Sequence, residues 1–168
     1  MTLHYMQQRM HLKEVSKAVG LTPPEGLQFR RNRKRIVVSP DSAGPEIKNW
    51  TPSSFIALCH RLQARGYDRE IVVAPKHHER WAKMAGNVFA TPCFPDIDQL
   101  CSHLYESGAV IANDSGNGHL ASFLGIPVVT IYRKKNPLFH WRPDWGPGVV
   151  VCPALTVPWP GGALWKPF

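Results

Sequence analysis

No stretch of this 168-residue chain approaches the about 20 consecutive apolar residues of a membrane-spanning helix, and the amino terminus lacks the apolar core of a secretory signal. Cysteine is scarce. Cys59, Cys93, Cys101 and Cys152 lie far apart with no C-x-x-C pair, which points to a reduced, cytoplasmic chain. The eight histidines miss zinc spacing too, and His77 and His78, being adjacent, would point about 100° apart on a helix. No metal site is expected. Neither G-x-G-x-x-G nor G-x-x-x-x-G-K-S/T occurs, which disfavours a dinucleotide oxidoreductase or a P-loop NTPase. There is no internal repeat.

Acidic residues are also few, 12 against 20 lysines and arginines, for a formal charge of +8. Much of the excess lies in Arg30-Arg31-Asn32-Arg33-Lys34-Arg35, with a second cluster at Arg133-Lys134-Lys135. Such a balance suits an anionic partner: a phosphorylated substrate, an acidic membrane surface or nucleic acid. The basic runs carry no interleaved aromatics and no nucleic-acid-binding signature, so nucleic acid is not an expected partner. The first run fits equally a solvated approach to a strand.

What the chain does have is alternation. Residues 4–19 carry Leu12, Val15, Ala18 and Val19 at helical spacing before Gly20, and a Pro-containing basic linker follows. From Arg35, short apolar runs alternate with amphipathic stretches. Strands are expected at 35–39, 70–74, 109–112 and 128–132, a weaker one at 87–90 and a last one at 148–151. Helices are expected over 52–65, 79–85 and 96–107, the last with Ile97, Leu100, Cys101 and Leu104 facing inward, and a short one follows Ser115. Continuous apolar strands separated by amphipathic helices imply a doubly wound parallel α/β sheet, Rossmann-like, covered on both faces. The organisation expected is residues 1–34 as helix and basic linker, 35–152 as the α/β domain, and 153–168 as a Pro/Gly/Trp-rich tail.

In such folds ligands bind beyond the carboxyl ends of the strands. The segment there that says most is Asn113-Asp114-Ser115-Gly116-Asn117-Gly118-His119. Ser115 stands where an N-cap belongs, two glycines let a ligand approach the backbone, and the helix dipole favours an anion such as phosphate. A ligand-free strand-to-helix turn would look much the same. Lys48, just before a Thr51-Pro52 helix start, can neutralise a phosphate or be a surface lysine. Glu79 can accept from ribose hydroxyls or simply complement a helix dipole. His119 can donate to a phosphate, and Asp114 can accept from sugar hydroxyls or hold its own loop.

Together these residues resemble the carboxyl-terminal half of the ADP-heptose lipopolysaccharide heptosyltransferases, glycosyltransferase family 9, of GT-B architecture. The family run of Asp, Ser or Thr, Gly, two free positions and His-Leu-Ala, then Gly and Pro, is met by Asp114-Ser115-Gly116, His119-Leu120-Ala121, Gly125 and Pro127. Lys48-Asn49-Trp50 is similar to the family's basic-x-Trp-Pro element, and Asn136-Pro137 with Trp141-Arg142-Pro143 to its Asp-Pro-x-x-Trp-x-Pro stretch. Gly118 stands where the family has a bulkier residue, and Ala74-Pro75-Lys76 where it commonly has glycine.

The resemblance implies inverting transfer from an ADP-sugar with no cofactor or metal. Lys48 and Asp114 would be the catalytic residues, and Ser115, Gly116, Asn117, Gly118, His119 and Glu79 would bind the donor. It also implies a lipid-linked saccharide acceptor and an aspartate base held by a separate amino-terminal domain, so that this chain reads as the donor half. The expected location is the cytoplasm, peripherally at the inner face of the cytoplasmic membrane. The alternative is a non-catalytic nucleotide- or nucleotide-sugar-binding module.

Overall fold

The apolar runs do form parallel strands. The computed structural model describes residues 7–14, 16, 19–42, 44, 49–86, 88–132 and 142–152. Five strands, β1 (Asn32–Ser39), β2 (Asp68–Ile71), β3 (Ser107–Asn113), β4 (Val128–Ile131) and β5 (Gly148–Val151), make one sheet in the order β2-β1-β3-β4-β5. Every pairing is parallel. Four helices connect them: α1 (Pro52–Ala64), α2 (Pro75–Ala85), α3 (Ile97–Tyr105) and α4 (Gly116–Phe123).

Both sheet faces are covered, as continuous apolar strands require. On one face Ile36, Val38, Ile71 and Val73 pack against Phe55 and Cys59 of α1 and Trp81 and Ala85 of α2. On the other, Val37, Val72, Val110 and Val128 meet Leu104 of α3 and Ala121 of α4. Each large side chain buried this way contributes about 1.5–3 kcal/mol. The chain passes to opposite faces after β1 and β3, which opens a crevice between their carboxyl ends.

Several expectations shift by a turn, for identifiable reasons. Of the helix expected over 4–19, residues 7–9 are helical and then the chain turns: His11 adopts φ 52°, and the Leu12 N–H donates to the Gln7 carbonyl at 3.0 Å. That is a helix-ending geometry, and Leu12 is left exposed rather than packed. Residues 4–6, 15, 17 and 18 of that stretch lie outside the described residues. β1 opens at Asn32, so part of the basic run belongs to the strand; Arg35 donates to Ser107 Oγ and to the His103 carbonyl, both at 3.0 Å. β2 ends at Ile71, three residues before the expected Ala74. α2 starts at Pro75 instead of Glu79, because proline presets the first helical φ.

Of the weak strand expected at 87–90, residue 87 lies outside the described residues, and the rest carries one parallel bridge between Glu70 and Ala90. There Arg69 takes over the ladder's work, donating to the Val88 carbonyl at 2.9 Å and lying over the Phe89 ring. Ile97, expected to face inward, is 64% exposed, because α3 starts beyond the sheet's carboxyl edge and only Leu104 is fully buried. Residues 153–168 lie outside the described residues.

Gly108 in β3 is required by a close approach. β1 slips register between Asn32 and Ile36, and a Cβ on Gly108 would stand 2.0 Å from the Arg33 carbonyl oxygen. Gly108→Ala should therefore destabilise the protein by about 1–3 kcal/mol or more, read as a lower urea midpoint. Gly116→Ala, with open space around its Cβ position, should leave the midpoint unchanged or raise it.

Under α3, His103 Nε2 lies 2.6 Å from Glu70 Oε2. Burial opposes the Glu70 charge, but the His103 hydrogen bond and the charges of His103 and Arg35 outweigh it and hold the carboxyl below its ordinary 4.5. The stabilisation is present above 4.5 and fades as pH falls through the lower folded value. Glu70→Gln should accordingly lower the urea midpoint at neutral pH, and the gap to wild type should close in acid.

Candidate functional site

The carboxyl ends of β1 and β3 are joined by side-chain amides before any ligand is considered. Asn113, the fully buried last residue of β3, donates through Nδ2 to the Pro40 carbonyl, and its Oδ1 accepts from the Trp50 backbone N–H at 3.3 Å. Asn49 donates to the same Pro40 carbonyl at 2.9 Å, and Ser42 Oγ donates to Asn49 Oδ1. Asn117 of α4 reaches back to Ser39 Oγ at 2.9 Å. These bonds fix the loop after β1, the approach to α1 and the first turn of α4 as one unit.

Between them lies an open cleft of about 290 Å³. One wall is Ser115-Gly116-Asn117; the opposite wall is Asp41 and Ser42 with residues 74–77; Val72, Phe94 and Leu100 give it an apolar side. Two helix N-termini open onto it, and they differ. At α2 the amide of Ala74 is already engaged, donating to Asp41 Oδ2 at 2.9 Å. At α4, Ser115 holds the N-cap position with extended backbone, but its side chain caps nothing, and its enclosed Oγ has no hydrogen-bond partner. The first-turn amides of α4 thus have no side-chain cap, and they lie at the positive end of the helix dipole.

The sequence-derived candidates separate here. Ser115, Gly116 and Asn117 line the cleft; Gly116 is exposed with open space where a Cβ would stand. Gly118, His119, Asp114 and Glu79 are not among the described residues that line it. Gly118 is buried, and a Cβ there would meet Ala112 and Pro143, so its free space faces the protein. His119 is half-buried one turn into α4. Asp114 is turned toward Tyr132 after β4: burial and the adjacent Asp114 carboxylate push the tyrosine hydroxyl well above its ordinary value, so it stays protonated and donates to Asp114. Glu79 is exposed in the second turn of α2, because that helix begins four residues earlier than expected. Lys48 lies outside the described residues, as do Asn136, Pro137 and Trp141.

Asp41, Ser42, Lys76 and His77 also line the cleft, and spacing alone gave none of them a donor-binding role. The usable signals were positional: Asp41 sits two residues past an apolar strand, and His77 two residues past the proline that opens α2.

A doubly wound parallel sheet with a cleft at its switch point places the chain among Rossmann-like α/β proteins. A family model for glycosyltransferase family 9 (heptosyltransferase) matches residues 3–154, and the chain belongs to that family. Its fold is similar to E. coli heptosyltransferase WaaC with ADP, at 19% identity and TM-score 0.64, over 90% of this chain and 49% of that one. E. coli ADP-heptose lipopolysaccharide heptosyltransferase II is similar at 21% identity and TM-score 0.61, over 88% and 42%. The glycosyl transferase family 9 protein of Veillonella parvula matches at 22% and 0.59, over 80% and 37%. The chain therefore spans less than half the length of these GT-B relatives. No curated protein sequence matches it.

If Asn113 is what holds the two walls together, Asn113→Ala should cost about 1–3 kcal/mol by leaving buried polar groups short of a partner. The thermal midpoint should fall, and proteolysis of the native protein should speed up.

Proposed function

We propose that this chain is the nucleotide-sugar-binding half of a heptosyltransferase-like glycosyltransferase, taking an ADP-sugar donor in the cleft at the β1/β3 switch point. The observation that carries the reading is the α4 terminus: an uncapped helix start with an enclosed, unpartnered Ser115 hydroxyl and an open Gly116 backbone. Family membership and the ADP named in one structural relative support it.

In this reading the diphosphate meets the backbone N–H groups at Ser115–Asn117, with Lys48 as a mobile counter-charge. Departure of ADP leaves negative charge on its β-phosphate, and preorganised dipoles plus a lysine stabilise that charge without a metal. The transfer is inverting, to a lipopolysaccharide-type acceptor. Asp114 acts by holding the turn through Tyr132. The acceptor and the general base that its hydroxyl needs belong to a second α/β unit, in keeping with relatives of which this chain covers 37–49%. Among the described residues no helix is long and apolar enough to cross a membrane. The exposed Arg31, Arg33 and Lys34 would hold the protein at an anionic cytoplasmic membrane surface.

ADP or ADP-heptose should raise the melting temperature by mass action. Ser115→Asp places a carboxylate where the helix dipole welcomes it but the diphosphate does not, so the unliganded protein should stay folded and the ADP shift vanish. Lys48→Ala should weaken ADP binding about tenfold or more, whereas EDTA should leave it unchanged. The absence of any shift with millimolar ADP or UDP would overturn the nucleotide reading.

Binding and turnover should also separate. Residues 1–168 should hold the donor without releasing ADP from ADP-heptose in the presence of acceptor, because positioning the acceptor supplies much of the rate. Multiple turnover by this chain alone would place the base within it. Binding without turnover, even when a matching acceptor domain is supplied, would favour a non-catalytic module.

A further inference from the structure

His77 is the one imidazole among the described residues that line the cleft. It stands in the first turn of α2, its backbone N–H donating to the Ala74 carbonyl at 2.8 Å. Its Nδ1 lies 3.1 Å from Asp41 Oδ1, while Asp41 Oδ2 accepts from the Ala74 N–H at 2.9 Å. The carboxylate is thereby held from two directions, and it holds the ring in turn. The neighbouring His78 shows what an imidazole in this helix does when it is used structurally: its Nε2 is bonded to the Thr91 carbonyl at 2.7 Å, away from the cleft.

A carboxylate can only accept, so the ring's Nδ1 must carry the proton. In the neutral ring that leaves Nε2 with a lone pair, and a ring placed this way is an acceptor awaiting a donor. Asp41 meets the ring at Nδ1 alone, its other oxygen taking the Ala74 N–H, so the Nε2 edge is left to the cleft. In the doubly wound dinucleotide fold an acceptor beyond the strand next to the phosphate-binding one meets a ribose hydroxyl, and by analogy the place beyond β2, on the same cleft as the α4 terminus, is where a ribose hydroxyl would look for an acceptor. That place is filled here by an imidazole. Glu79, the carboxylate expected for the task, sits one turn too far along α2.

We propose that His77, fixed as the Nδ1–H tautomer by Asp41, is the ribose-recognising residue of this chain, its Nε2 accepting from a hydroxyl of the donor's ribose. This rests on the nucleotide reading above and deepens it. Asp41 is then a positioning residue, setting the tautomer and the ring plane while tying the loop after β1 to the start of α2.

The test compares ADP with 2′-deoxy-ADP and 3′-deoxy-ADP by calorimetry in mildly alkaline buffer. Wild type should bind ADP about three- to tenfold tighter than at least one deoxy analogue, the worth of one ordinary hydrogen bond. His77→Ala should bind all three alike, near the weaker wild-type value. His77→Gln, which restores an acceptor, should recover part of the preference. A thermal melt of each variant without ligand checks that this half-exposed helix position leaves the fold intact. Ring nitrogen shifts of His77 should report the Nδ1–H tautomer in wild type, and Asp41→Asn should shift that balance and erode the ribose preference together.

An unchanged preference in His77→Ala, or an Nε2–H tautomer in wild type, overturns the proposal while the nucleotide reading stands. Equal weakening of all three ligands also overturns it, since that marks His77 as a phosphate-facing cation. If wild type binds none of the three, the nucleotide reading itself fails.

Discussion

The arrangement of this cleft depends on one carbonyl. Pro40 follows β1 at the point where the chain leaves the sheet for one face, while β3 sends its helix to the other face. The Pro40 oxygen is buried there with no strand to pair it, and two amides, Asn49 and Asn113, take it. Asn113 also accepts the Trp50 N–H, so the approach to α1 is tied to the end of β3. An unpaired buried carbonyl in this crevice would cost more than any single contact around it gains. Satisfying it fixes Asp41 and Ser42 on one wall relative to Ser115–Asn117 on the other.

With the walls fixed, the two helix termini acquire different chemistry. At α2 the Asp41 carboxylate takes the amide of the N-cap residue Ala74 and sits against the helix's positive end. The α4 terminus has no such partner, although Ser115 is a residue type that usually supplies one. A serine that declines to cap leaves the first-turn amides without a side-chain partner, while its own hydroxyl is enclosed. The cleft thus has a carboxylate at its α2 end and, among the described residues that line it, none at its α4 end.

The resemblance to the heptosyltransferases lay in residues that turn out to do unlike things. Ser115, Gly116 and Asn117 line the cleft, while Gly118 packs against Ala112 and Pro143, and Asp114 anchors itself to Tyr132. A motif of this kind records both the surface a ligand would touch and the scaffold behind it. The linear string does not separate them, because neighbours in a helix's first turn point in different directions.

From the sequence alone, the continuous apolar runs of β1, β3 and β4 were enough to establish a parallel sheet covered on both faces, and the small-residue turn after β3 was enough to mark one wall of the cleft. Both follow from local rules: strand burial shows as unbroken hydrophobicity, and a tight strand-to-helix turn requires small residues. What only the tertiary structure decided was which polar side chains share the cleft. Glu79 was placed by counting from an assumed helix start and lost its position when Pro75 opened the helix a turn earlier. Asp41 and His77 are 36 residues apart in sequence and meet at 3.1 Å because β1 and β2 are adjacent and in register. Pairing across a sheet is set by the packing of the whole core, and no spacing along the chain encodes it.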